Sequence, residues 1–294
     1  MAHTEKIKDP LLNNILNSDV TPLKLLKYFV SNEVVDNILH ESEIYADQVK
    51  ETHLNALSNF SMFNADEYWN FMALHMLMGI HKLPEMRNYW SKNELMHSPI
   101  FKEKMSRNRF FEILRTLHFS NNRFPNPNNR FWKLGNFLEN LLCKFKNSIN
   151  AGEYLCVDES LVGYKGRLSF RQYIPNKRCR FGVKFFVLVD TETNLILNMI
   201  AYQGKKTQLE DCSKELGVGG AATYTLILEW LHNNHRIVTD SWFISPNLAT
   251  KLLENGTHLL GTCRKQRKNM PKMVGKLKTG TVETYSTDQI LIQR

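Results

Sequence analysis

Two kinds of hydrophobic spacing divide this 294-residue chain. Up to about residue 150, apolar side chains recur at intervals of three and four, the spacing of a helix face. Thr21-Pro22 reads as an N-cap followed by proline in the first turn, and Leu25, Leu26, Phe29 and Val30 then recur at helical spacing. Tyr68, Phe71, Met72, His75 and Met76 predict a further helix, as do Phe110, Phe111, Leu114 and Leu117 behind Ser106-Arg107. The turn-rich stretch from Asn121 to Asn129, with Pro125 and Pro127, predicts an exposed loop ahead of another helical stretch at 131–149. From about 153 the pattern becomes strand-like, with strands predicted at 154–158, 168–174, 182–189 and 195–202, punctuated by Gly163, Gly166 and Gly204. A helix at 222–232, a strand at 236–240, a helix at 245–254 and a strand at 257–262 follow. This order predicts an α/β class of fold, a mixed sheet with flanking helices preceded by an N-terminal helical domain. The expected division is a tail at 1–19, a helical region at 20–150 and the sheet-bearing domain at 151–294.

Composition leaves this picture intact, since 43% hydrophobic and 11% aromatic residues are ordinary for a folded chain. Charge sharpens it. A net charge of +9 favours a polyanionic partner, and the distribution is uneven. Lys165, Arg167, Arg171, Lys177, Arg178, Arg180 and Lys184 fall in one acid-free run, and Arg264, Lys265, Arg267, Lys268, Lys272, Lys276 and Lys278 in another. The cysteines, Cys143, Cys156, Cys179, Cys212 and Cys263, are odd in number and lack a C-x-x-C pair. That argues against disulfides and for a reduced, intracellular compartment. No apolar stretch approaches the roughly 20 residues of a spanning helix, so no membrane role is expected.

Candidate chemistry centres on Asp158 and Asp240. Each closes a short apolar run, Tyr154-Leu155-Cys156-Val157 and Arg236-Ile237-Val238-Thr239, and each is followed by a polar segment. Carboxylates are the hard oxygen ligands that hold Mg²⁺ or Mn²⁺ while leaving room for water and a phosphate oxygen. The two acids are 82 residues apart in sequence (240 − 158), so only the fold can bring them together. His75 and His81 lack partners at zinc-site spacing and read as packed or surface histidines.

Several blocks together resemble the piggyBac transposase family, including its transposable element-derived members. Asp158-Glu159-Ser160 is followed by Gly163-Tyr164-Lys165-Gly166-Arg167, Arg171-Gln172-Tyr173-Ile174-Pro175-Asn176-Lys177 and Gly182-Val183-Lys184. Tyr202-Gln203-Gly204-Lys205, Asp240-Ser241-Trp242-Phe243-Ile244-Ser245 and Gly261-Thr262-Cys263-Arg264-Lys265-Gln266-Arg267-Lys268 resemble further blocks of that family. So do Tyr89-Trp90-Ser91 and Met105-Ser106-Arg107-Asn108-Arg109-Phe110. The resemblance runs from about residue 20 to the end.

The resemblance implies a ribonuclease-H-like catalytic core of the Asp-Asp-Asp type, in which Asp158 and Asp240 match the first and second metal-binding, catalytic acids. It implies two Mg²⁺ (or Mn²⁺) ions in a complete site, cut-and-paste DNA transposition at TTAA targets, and a nuclear location. DNA, including transposon ends, is the implied partner, and synapsis of two ends implies a homodimer, with the helical region serving dimerisation or DNA binding. Lys165, Arg167, Arg171, Lys177, Lys184, Arg264, Lys265, Arg267 and Lys268 would grip the DNA backbone. Arg178 and Ser241 replace a proline and an asparagine of the family pattern and leave both carboxylates in place. The block carrying the family's third acid is not found, and the context of Asp288 does not match it, so the expectation is a truncated chain without activity of its own. The alternative is a domesticated DNA-binding or interaction module without catalysis.

Overall fold

A computed structural model describes residues 7–52, 60–175 and 177–294. Asn176, part of one resemblance block, and the first six residues of the expected tail lie outside them. The chain divides into two units: Asp19–Leu141, and Leu142–Arg294 together with the N-terminal stretch up to Ser18. Helix α1 (Pro10–Asn17) stands where the sequence suggests only a tail. The Asp9 carboxylate caps it by accepting from the backbone N–H groups of Leu11 and Leu12, at 2.8 and 3.4 Å.

The unit from Asp19 to Leu141 holds α2 (Pro22–Phe29), α3 (Asn32–Thr52), α4 (Ala65–Ile80), α5 (Pro99–Lys104) and α6 (Arg107–Thr116), and the boundary falls within α7 (Phe137–Ser148). Its core is aromatic. Phe71, Phe101, Phe110 and Ile113 are almost completely buried, and the Phe110 ring lies 4.9 Å from those of Phe71 and Trp90. The polar edges of these rings are satisfied: Trp90 Nε1 donates to the Met105 carbonyl at 2.8 Å, and Tyr89 Oη to that of His81 at 2.6 Å. Asn64 and Glu67 form a reciprocal capping box at the start of α4. Arg109 of α6 then grips Glu67 with two nitrogens, at 2.7 and 2.8 Å, and donates to the Ser61 carbonyl at 2.7 Å. No helix among the described residues is long and apolar enough to cross a membrane.

In the other unit, β1 (Tyr154–Gly163), β3 (Phe181–Asp190) and β4 (Ile196–Ala201) pair antiparallel in the order β1-β3-β4. A two-residue strand, β2 (Gln172–Tyr173), continues along the β3 edge that β4 occupies. On the other side of β1, β5 (Arg236–Thr239) and then β6 (His258–Gly261) pair parallel. The expected mixed sheet with flanking helices is thus present. Leu155 and Val157 of β1, Phe186 and Leu188 of β3 and Ile237 of β5 all point to one face, where they are buried with Leu226 of α8 (Ser213–Ile227) and Leu248 and Leu252 of α9 (Pro246–Glu254). The alternation of β1 therefore turns Asp158 to the opposite face.

Four expectations shift, the first being that the strand foreseen at 154–158 runs on to Gly163 and carries Asp158 within it rather than at its end. The strand foreseen at 168–174 contracts to β2, because residues 165–171 form a loop in which Arg171 donates to the carbonyls of Lys165 and Gly166, at 2.8 and 3.1 Å. The helix foreseen at 222–232 begins at Ser213 and ends at Ile227. Gly217, at φ +71° and ψ 169°, leaves helical geometry, so a short first turn from Ser213 and the main helix meet there at a kink. A hairpin of β7 (Thr284–Ser286) and β8 (Leu291–Gln293) was not foreseen, and Asp288 occupies its turn.

Candidate metal and phosphodiester site

The parallel register of β1 and β5 determines how the two acids meet. Tyr154 pairs with Arg236 and Val157 with Thr239, a constant offset of 82 (236 − 154 and 239 − 157). Asp158 and Asp240 are the next residues on each side, Asp158 still within β1 and Asp240 at the first position after β5. The Thr239 hydroxyl donates to the Val157 carbonyl at 2.9 Å and pins the strands together immediately before the acids. Both acids are exposed. Asp158 Oδ1 accepts from the N–H of Glu159 at 2.7 Å, and Asp240 Oδ1 from that of Trp242 at 2.8 Å. The second oxygen of each has no protein partner among the described residues. A carboxylate oxygen left open on each acid is the kind of ligand a hard divalent cation takes.

Cations border the pair. Lys177 Nζ lies 3.4 Å from a Glu159 carboxylate oxygen. Lys184, on β3, is half-buried with its ammonium among aromatic rings. Burial pushes its pKa below the ordinary lysine value, while the charges of Glu159, Asp158 and Asp240 act to raise it. Its charge is therefore coupled to both acids. Burial, and then the charge of Asp158, pushes the Cys156 thiol up.

The other basic residues singled out from sequence separate into two groups. Arg267 Nη2 donates to the carbonyls of Ser241 and Trp242, at 3.1 and 2.5 Å, and Arg264 Nε to the Ser241 hydroxyl at 3.4 Å, so both brace the turn after Asp240. Arg171 braces the loop after β1 in the same way and lies 5.2 Å from the Phe181 ring centroid. Lys165, Arg167, Lys265 and Lys268 are exposed, and nothing among the described residues joins them to the acids. Sequence reasoning did not single out Glu159, the partner of Lys177. Its signal was only its place next to Asp158, on the other side of the strand.

The family model described as Transposase IS4 matches residues 21–292, and the chain belongs to that family. Within it the chain is of the piggyBac type. It is 29% identical over 248 residues to PiggyBac transposable element-derived protein 3 of Homo sapiens, covering 83% of this chain and 40% of that protein. To PiggyBac transposable element-derived protein 2 of Homo sapiens it is 24% identical over 287 residues, covering 96% of this chain and 47% of that protein. The chain thus spans less than half the length of these relatives. Among solved structures it is similar to the cryo-EM structure of a piggyBac transposase synaptic complex with hairpin DNA, with a TM-score of 0.78 and 24% identity, covering 93% of this chain and 57% of that one. That likeness establishes the ribonuclease-H-like fold.

Proposed function

We propose that this chain acts on DNA as a piggyBac-type transposase core, with Asp158 and Asp240 as its metal-binding acids. The observation that supports the reading is the strand register, which aligns β1 and β5 at an offset of 82 up to Val157 and Thr239, the residues just before the two acids. Mg²⁺ or Mn²⁺ held there would stabilise charge developing on a phosphodiester undergoing attack. Asp158 and Asp240 keep one oxygen each on a backbone N–H and offer the other, so the carboxylates are oriented in advance. Among the described residues no group of three His, Cys, Asp or Glu is placed to hold an ion, so a complete two-ion site needs a further acid. The second reading is a DNA-binding module without catalysis.

DNA backbone contact falls to the exposed cations Lys165, Arg167, Lys265 and Lys268, and to Lys177, which pairs with Glu159. The proposal includes a nuclear location, action on transposon ends and TTAA targets, and a second copy to hold the second DNA end. Mg²⁺-dependent nicking of a labelled duplex tests it, comparing the chain, a version lengthened to the full span of its relatives, and Asp158→Ala and Asp240→Ala forms of both. Cutting that both substitutions abolish supports the enzyme. Binding without cutting in every form supports the module.

The DNA contacts give a separate expected result. Each phosphate contact contributes about 0.9 to the slope of log affinity against log salt. Replacing Lys265 and Lys268 with alanine should flatten that slope by about 2 without lowering the melting temperature. A slope unchanged in fluorescence-anisotropy titrations would remove these lysines from the interface.

A further inference from the structure

The turn that presents Asp240 is fixed by residues outside the acid pair. The indole of Trp242 stacks on Phe186, with centroids 5.5 Å apart and planes at 21°, and meets Phe243 edge-on at 4.7 Å. Lys184 Nζ lies 4.6 Å from the Trp242 ring centroid, 4.8 Å from that of Phe186 and 5.7 Å from that of Tyr202. A cation within about 6 Å of a ring centroid is drawn to the ring's negative face. One ammonium thus ties β3, the end of β4 and the turn after β5 together. On α8, Gly219 meets the same turn. A Cβ there would fall 2.6 Å from the Trp242 carbonyl oxygen and 3.0 Å from its Cε3, so only glycine permits this approach. The backbone N–H of Trp242 is the donor that holds Asp240 Oδ1.

We propose that Lys184 and Gly219 are positioning residues for the second acid. By fixing the seat of Trp242 they set the direction of the Asp240 carboxylate, and through it the affinity of the acid pair for a divalent cation. The inference rests on the metal role proposed for the pair and deepens it by naming what aims one ligand. It also separates Lys184 from the surface cations with which the sequence groups it. A role for Lys184 through charge alone predicts the opposite sign, because removing an ammonium near two carboxylates tightens cation binding.

The test uses the full chain carrying ¹³C-labelled aspartate, with the Asp240 carboxyl resonance assigned by its loss in Asp240→Asn, and Mn²⁺ as the affinity probe. Lys184→Met keeps a flexible apolar chain against the rings and loses the cation. Gly219→Ala displaces Trp242 and changes no charge. Both are expected to move the Asp240 resonance in metal-free protein and to weaken Mn²⁺ binding about tenfold. Lys184→Arg, which retains a cation over the rings, should stay near wild type in both readouts. If Gly219→Ala leaves the resonance in place, or Lys184→Met tightens Mn²⁺ binding, the inference is overturned. Should Gly219→Ala fail to melt cooperatively, Trp242→Leu replaces it with the same expectation. If the wild-type chain binds no Mn²⁺ through Asp158 and Asp240, the metal reading falls. The positioning inference is then decided by the Asp240 resonance alone, upheld by a shift in the charge-neutral variant and overturned without one.

Discussion

Replacing Asp240 with asparagine is expected to weaken Mn²⁺ binding by at least about 100-fold, because loss of a mere outer-shell partner already costs roughly 10- to 100-fold. Asparagine is the informative substitute. Its side-chain oxygen can still accept the Trp242 N–H that Asp240 Oδ1 now accepts, so the turn keeps its shape while the anionic ligand disappears. Stability should not fall with affinity. Removing one of two adjacent negative charges relieves repulsion, and the melting temperature is expected to hold or rise. Asp158→Asn should behave alike, since Asp158 holds the N–H of Glu159 in the same manner. Asp288→Asn, in the β7–β8 turn, should change neither quantity. Isothermal titration with Mn²⁺, run beside thermal melts, decides the matter. Full affinity in Asp240→Asn would place the metal elsewhere and remove the basis for the proposed chemistry.

Arg109→Ala should destabilise the helical unit by about 2 kcal/mol at neutral pH, between the value of an exposed ion pair and that of a buried one. The guanidinium bonds both oxygens of Glu67 and the Ser61 carbonyl, lies 3.6 Å from Glu112, and sits 5.5 Å from the Phe60 ring centroid. Its side chain is 17% exposed and that of Glu67 32%, so water screens the pair only in part. The hydrogen bonds from Arg109 are the largest influence on Glu67 and hold its carboxyl below the ordinary value of 4.5. A carboxyl depressed in the folded state adds stability that is fully present above about pH 4.5 and is lost as pH falls through the folded value. The difference between wild type and Arg109→Ala should therefore narrow in acid. Urea denaturation at pH 7 and at pH 3.5 measures it, and a gap independent of pH would assign the loss to packing on Phe60.

The sequence made the two acids and the element order visible because both depend on local pattern. Asp158 and Asp240 follow apolar runs, a pattern that also fits a turn or cap, and the family resemblance is what singled them out together; β1 continues past Asp158 to Gly163. What stayed hidden depends on contacts between distant segments. Arg267 and Lys268 look alike in a basic run, yet Arg267 is bonded to the carbonyls of Ser241 and Trp242 while Lys268 faces solvent. Lys184 reads as one more cation of its run, and only the pairing of β3 with its neighbours turns it among Phe186, Tyr202 and Trp242. The start of α8 was missed because glycine lowers helix propensity. At Gly219 the close approach of the turn after β5 outweighs that preference. The β7–β8 hairpin is short and largely exposed, so it has almost no apolar alternation to announce it.

The backbone ladder between β1 and β5 has a consequence for how such a core can change over time. It fixes which residues stand opposite one another, from Tyr154 with Arg236 to Val157 with Thr239, whatever length of chain lies between the strands. The segment between β4 and α8 carries no ladder bond between these strands. A module spliced in there would lengthen the path between the acids without altering their spacing, so new attachments can be gained at that point while the carboxylate pair stays in register.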